Sequence, residues 1–322
     1  MQSDGDELVG EQFPRLRKIV RAVLQSWPEH QRFLGRSIKE RSGPVLESSE
    51  SIARMILELE DDDICRLCED YKWMCARLQE EEVEFRRNGR YRYADFAQVQ
   101  RLVYDDAAFM DRYLRGLLLS QALWVNHASA IDFYRRAFLS EAAGGARLLE
   151  IGPGHGLLLG LAMREGRFAA IAGWDVSATS IASTCAALKK LGLAQPADLR
   201  VADILEPPTG DDAFDLVVIS EVLEHLERPD VALANLHRAL APGGKIFVNV
   251  PINSPAPDHI YLLRSPGEAI ALVERGGFSI IEARHFPTAG YTIERAQRLG
   301  GTISSAIIAQ ARQAQATDRD NR

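Results

Sequence analysis

The run Leu148-Leu149-Glu150-Ile151-Gly152-Pro153-Gly154-His155-Gly156 joins an apolar stretch to a turn with glycine at alternate positions. Glycines so spaced let main chain bend where other residues cannot and pass close to a ligand. The pattern is Gly-x-Gly-x-Gly, because Leu157 stands where a dinucleotide fingerprint has its last glycine. Single acids follow the next apolar runs, Asp175 after Ala169–Trp174 and Asp203 after Leu199–Val201. A second chemical candidate is weaker: Cys65 and Cys68 form a Cys-x-x-Cys with Cys75 beyond, but no second pair or nearby histidine completes a zinc set. These read as core or half-buried helix cysteines.

The elements that must position these residues fall into two textures. Up to about residue 140, apolar residues recur at three-to-four spacing, which predicts helices. Phe13, Leu16, Val20, Val23, Leu24 and Trp27 share a face that ends at Pro28; Asp61-Asp62-Asp63 opens a helix that runs out before Asn88-Gly89; Asp105-Asp106 opens a long one through Trp124. After Ala142, short apolar runs alternate with helical segments, the pattern of a parallel sheet. The strands expected are 147–151, 169–174, 199–201, 216–220, 245–250, 278–283 and 303–309, with helices around 157–163, 178–191 and 231–240. The fold class expected is therefore α/β, a Rossmann-like seven-stranded sheet flanked by helices (residues 143–310), preceded by an all-α cap (1–142) and followed by a polar tail (311–322). The 322 residues and 46% hydrophobic content suffice for two cores. A net charge of −7 argues against a broad surface for nucleic acid. With an acidic start at Met1–Glu7 and no long apolar run, the expectation is a cytoplasmic chain without membrane contact.

The glycine turn with its strand resembles motif I of class I S-adenosylmethionine (SAM)-dependent methyltransferases, and further pieces of that pattern follow in order. Asp175, after Trp174, matches the acid that takes both ribose hydroxyls, a task suited to a carboxylate because it only accepts hydrogen bonds. Asp203 is placed to accept from the adenine amino group. Phe214–His225 resembles motif IV and the turn after it, and Leu240-Ala-Pro-Gly-Gly-Lys resembles the entry to strand five. The resemblance covers about residues 146–309 and leans toward enzymes of the ubiquinone-biosynthesis type. It implies SAM as cofactor, held by Glu150, Gly152, Gly154, Gly156, Asp175, Val176, Asp203, Ile204, Ser220 and Glu221.

The run Glu221-Val-Leu-Glu224-His225 also resembles the Glu-x-x-Glu-His metal site of small-RNA 2′-O-methyltransferases and some ubiquinone O-methyltransferases, with His259 as a further imidazole. That implies a divalent, Mg²⁺-like ion at Glu221, Glu224, His225 and His259; the same run also occurs in enzymes without metal, so both readings stand. A helical cap over the methionine end of SAM makes Trp124, Asn126, His127 and Tyr93, with His225, the candidate catalytic residues, since aromatic faces attract onium ions. His155 is expected to face solvent. The segments 251–257 and 286–291 are expected to border the acceptor pocket. The leading expectation is methyl transfer to a small metabolite, in biosynthesis or secondary metabolism. Cyclisation of SAM itself, as in the methyltransferase-like azetidine-2-carboxylate synthases, and a non-catalytic SAM-binding protein remain beside it, and spare apolar helix faces allow a homodimer.

Overall fold

A computed structural model describes residues 8–61, 63–193, 197–208 and 213–312. The acidic start, Asp62 of the expected cap and the tail after Arg312 lie outside them. The amino-terminal region is helical: α1 (Pro14–Ser26), α2 (Gln31–Lys39), α3 (Gly43–Leu59), α4 (Ile64–Asn88), α5 (Phe96–Val99), α6 (Ala107–Leu123) and α7 (Val125–Phe133), with π-helical turns at Gln100–Tyr104 and Tyr134–Leu139. Local chemistry fixes the ends. Asp63 and Asp106 accept the N–H of Arg66 and Phe109, and Gly89 closes α4 in the left-handed conformation. Cys68 and Cys75 face the core, where burial pushes both thiols up to about 12, and Cys65 is exposed.

The helix expected through Trp124 instead breaks there. Arg41 donates to the carbonyls of Ala122 and Leu123 at 2.8 and 2.7 Å, and Ser37 Oγ donates to Leu123 O at 2.6 Å. These are the carbonyls that the N–H groups of Asn126 and His127 need for one continuous helix. The Trp124 indole turns away to donate to Tyr71 Oη at 2.8 Å.

The strands are β1 (Arg147–Ile151), β2 (Ala170–Asp175), β3 (Asp198–Val201), β4 (Phe214–Ser220), β5 (Leu240–Ile252), β6 (Phe278–Pro287) and β7 (Ile303–Ala311). Between them lie α8 (Leu157–Glu165), α9 (Ala178–Lys190), α10 (Pro229–Ala239), α11 (Pro266–Arg275) and α12 (Ile293–Leu299). The sheet order is β3-β2-β1-β4-β5-β7-β6, parallel except for β7, which runs antiparallel to both neighbours. Strand order therefore reverses between β1 and β4, and ligands of such sheets bind outside the carboxyl ends of the strands at that point. The fold class expected from the sequence is the one observed.

Alternate residues of each strand feed opposite cores, as the pleat requires. Leu148, Val218, Phe247 and Ile308 point to a core that contains α8 and α9 and continues without interruption into α1, α3, α4, α6 and α7. Leu149, Val217, Ile246 and Ile307 point to the other, closed by Leu233 and Leu236 of α10 and Leu272 and Val273 of α11. No described helix is long and apolar enough to cross a membrane.

Candidate active site

The chain leaves β1 at Ile151 and turns at once, Gly152 N–H donating to Trp174 O at 2.8 Å. Gly152 has φ +65°, and a Cβ there would stand 2.6 Å from Val222 Cγ2, so a side chain is excluded twice over. Gly154, φ +49°, would meet nothing nearer than Gly152 O at 3.8 Å, leaving bare main chain open on the outer side of the turn. His155 does not face solvent freely: it is half-buried, with Nδ1 accepting Leu157 N–H at 3.2 Å. Glu150 is buried, and burial pushes its carboxyl up to about 8; its Oε2 has no hydrogen-bond partner among the described residues.

Asp175 ends β2 beside the turn. Its Oδ1 accepts Ser177 N–H at 2.8 Å and its Oδ2 accepts Ser180 Oγ–H at 2.5 Å, so the carboxylate is aimed by the start of α9. A carboxylate offers about four lone-pair positions, which leaves room for two more donors. Val176 next to it is exposed, Asp203 Oδ1 accepts Leu205 N–H at 2.9 Å, and Ile204 is buried with its carbonyl taken by Asn235 at 2.9 Å. At the end of β4, Ser220 Oγ and Glu221 Oε1 share the Asn249 amide at 3.1 and 2.9 Å. Burial pushes Glu221 up to about 7. The ten residues expected to hold SAM thus stand at the carboxyl ends of β1 to β4.

Past β4 a second centre forms. Glu224 is fully buried, with neither carboxylate oxygen hydrogen-bonded among the described residues. Burial first, then the Glu221 charge, push it well above the ordinary carboxylate range. His225 Nε2 and His259 Nε2 stand 3.7 and 3.9 Å from its Oε1. The opposite ring nitrogens are committed: His225 Nδ1 lies 3.0 Å from Asp258 O and His259 Nδ1 lies 2.6 Å from Ser254 O. A carbonyl can only accept, so each Nδ1 carries the proton and each Nε2 presents a lone pair to the carboxylate. Two imidazole lone pairs and one carboxyl facing one another can hold either a shared proton or a cation, and as a metal-ligand set they suit a first-row divalent ion better than Mg²⁺. Among the described residues this is the one group of metal-ligating side chains within mutual reach, and Glu221 is not in it. Tyrosines from the helical region close over it. Tyr104 Oη lies 3.3 Å from His225 Nδ1, Tyr113 donates to Asp258 Oδ1 at 3.3 Å, and the Tyr91 ring packs edge-on to His259 at 5.8 Å.

Comparison with known proteins finds relatives for the segment that carries the glycine turn. The family described as "Methyltransferase domain" matches residues 149–248, from the middle of β1 to within β5. The segment that carries the glycine turn and Asp175 thus matches a methyltransferase domain. Ubiquinone biosynthesis O-methyltransferase of Rhizobium etli is 34% identical over 125 residues, 39% of this chain and 49% of the relative. That of Pseudomonas aeruginosa is 28% identical over 151 residues, 45% and 62%. The chain spans about half the length of the first of these relatives. Among solved structures, N-methyltransferase NodS from Bradyrhizobium japonicum, in complex with S-adenosyl-L-homocysteine, aligns over 58% of this chain and 88% of its own at 18% identity and a TM-score of 0.46.

Of the candidate catalytic residues from the helical region, Trp124 and His127 pack among the helices and Asn126 packs against β7. Trp124 and His127, both half-buried, pack on each other at 4.9 Å, and His127 Nδ1 pairs with Ser120 Oγ at 3.0 Å, beside the helical core. Asn126 is buried and donates to Ser304 Oγ of β7 at 3.0 Å. Tyr93 is half-buried, and it is Tyr91 that reaches His259. Tyr104 and Asp258 escaped the sequence reading. Tyr104 sits just before the expected helix start at Asp105-Asp106, 121 residues from its partner His225, and nothing in local spacing joins them.

Proposed function

We propose that this chain transfers the methyl group of SAM to a small-molecule acceptor held beneath the helical region. The observation that carries the reading is the pairing, on adjacent strand ends, of an open glycine turn with an aimed carboxylate that has acceptor capacity to spare. SAM supplies a methyl group on a sulfonium, whose leaving group needs no acid. The chain's part is then to orient and to keep water out. Gly152–Gly156 offer main chain, Asp175 the ribose acceptor, Asp203 the adenine acceptor and exposed Val176 an apolar contact.

The acceptor we favour carries a hydroxyl, which makes the reaction an O-methylation, as the names of the ubiquinone-biosynthesis relatives support. Glu224, His225 and His259 would hold a divalent cation, whose charge stabilises a developing oxyanion. Tyr91, Tyr104 and Tyr113 shield that centre from bulk water.

The test is calorimetry with SAM and with S-adenosylhomocysteine, on the wild type and on Asp175→Ala. Two lost hydrogen bonds to a charged acceptor predict an affinity drop of roughly 100-fold or more. Unchanged affinity in the variant would overturn the reading. Product analysis with SAM alone is the companion measurement: methylthioadenosine with a cyclic amino acid would replace methyl transfer by cyclisation of SAM.

A further inference from the structure

A cleft of about 640 Å³ opens between α2 and the turn that enters α12, away from the glycine turn and from Glu224. Its walls carry Arg32, Arg36 and Lys39 from α2 and Arg295 from α12. We propose that this cleft binds a phosphorylated small molecule.

The spacing 32, 36, 39 puts three cations on one face of α2, where like charges a turn apart repel and weaken the helix. The side chains of Arg32, Arg36 and Lys39 have no hydrogen bond or ion pair to another described residue. The cleft's one acid, Glu40, forms no ion pair with them: both its oxygens accept Gly290 N–H, at 3.0 and 3.2 Å, which ties the turn to the end of α2, so the lining keeps an excess of positive charge. Gly290, φ +86°, brings bare main chain against Arg36, whose Nη1 would stand 3.2 Å from any Cβ there. Across the cleft, Arg295 is held over the Tyr291 ring at 4.9 Å and donates to Gly290 O at 3.4 Å. Four cations therefore surround one space in a chain whose net charge is −7. Three of them are guanidinium forks, which match phosphoryl oxygens two at a time. The volume lies within the range of small-molecule sites and exceeds what a lone inorganic ion fills.

The cleft shares an end of the sheet with the proposed SAM site, since β6 reaches it at Pro287, paired through Ile303 with Ile252 at the carboxyl end of β5. Its ligand does not depend on methyl transfer, and neither does the test. The 322-residue chain in EDTA is titrated calorimetrically with inorganic pyrophosphate, and in parallel with sulfate at matched ionic strength. Saturable one-to-one binding of pyrophosphate, weaker at least tenfold in Arg32→Gln/Arg36→Gln and in Lys39→Gln but unchanged in Asp175→Ala, is the expected result. The substituted side chains are exposed, and an unchanged circular-dichroism melt checks that the variants fold. Absence of saturable heat, equal affinity for sulfate, or equal binding in the α2 variants would each overturn the proposal.

Discussion

At the scale of single residues, a carboxylate shut away from water without a hydrogen-bond donor is costly, and such groups persist where a proton or a cation satisfies them. Glu224 is in that position, and with His225 Nε2 and His259 Nε2 beside it we propose a divalent cation as the group that satisfies it. Mn²⁺ or Co²⁺ at about 100 times its dissociation constant adds about 2.7 kcal/mol, a rise of several degrees in the unfolding midpoint. The rise should vanish in Glu224→Ala; no midpoint shift with Mn²⁺, Co²⁺, Zn²⁺ or Mg²⁺ would rule the centre out. Glu150 gives a different signature. Burial raises its carboxyl from 4.5 to about 8, so the native chain keeps a proton that the unfolded chain has already released. Its contribution to stability is full below about 4.5 and drains away as pH climbs toward 8, by an amount on the order of a few kcal/mol. Urea midpoints of the SAM-free protein from pH 5 to 9 should fall more steeply for wild type than for Glu150→Gln, and parallel curves would contradict this.

At the scale of elements, the glycine turn and the run after β4 are one object, because Val222 fills the space that a side chain at Gly152 would need. Gly152→Ala should cost roughly 1–3 kcal/mol from the left-handed backbone and the overlap together. It should also weaken SAM binding. Adding Val222→Ala should recover the steric share and leave the backbone share, a split readable from urea midpoints of the three proteins. The turn, all seven strands and the acids at their ends were legible in the sequence, because short apolar runs and glycine spacing are local signals. β5 is longer than expected because the chain passes through Ala241-Pro242-Gly243-Gly244 by a register shift between Leu240 and Lys245 without leaving the sheet. The break at Trp124 was not legible, since it is made by Arg41 and Ser37 some eighty residues away. Tyr104 over His225 escaped for the same reason, and helical spacing alone does not tell whether Trp124, Asn126 and His127 line a pocket or pack in the core.

At the scale of the whole molecule, composition divides the chain near Ala142 but packing does not. Phe133, Tyr134 and Phe138, all before that point, are almost completely buried against Phe247 of β5, with ring centroids 5.1 to 6.2 Å from it. Each aromatic of this kind buries about 150–250 Å². At about 25 cal/mol per Å² the three together contribute roughly 10 kcal/mol or more, comparable to the net stability of an ordinary domain. A fragment starting at Gly144 would keep the glycine turn, Asp175 and the Glu224 centre, yet lay open the part of the sheet face around Phe247 that Phe133, Tyr134 and Phe138 cover. It would also lose the hydrogen bonds from Arg86 to Gly300 O and from Arg264 to Gly89 O, which fasten the helices to the β5–β6 and α12–β7 connections. Such a fragment is expected to be unfolded or aggregated and to show no calorimetric response to SAM, whereas residues 8–312 fold and respond. Dispersed amide resonances in the fragment, with SAM affinity within a few-fold of the intact chain, would mean that the helices only cover the site and do not complete its core.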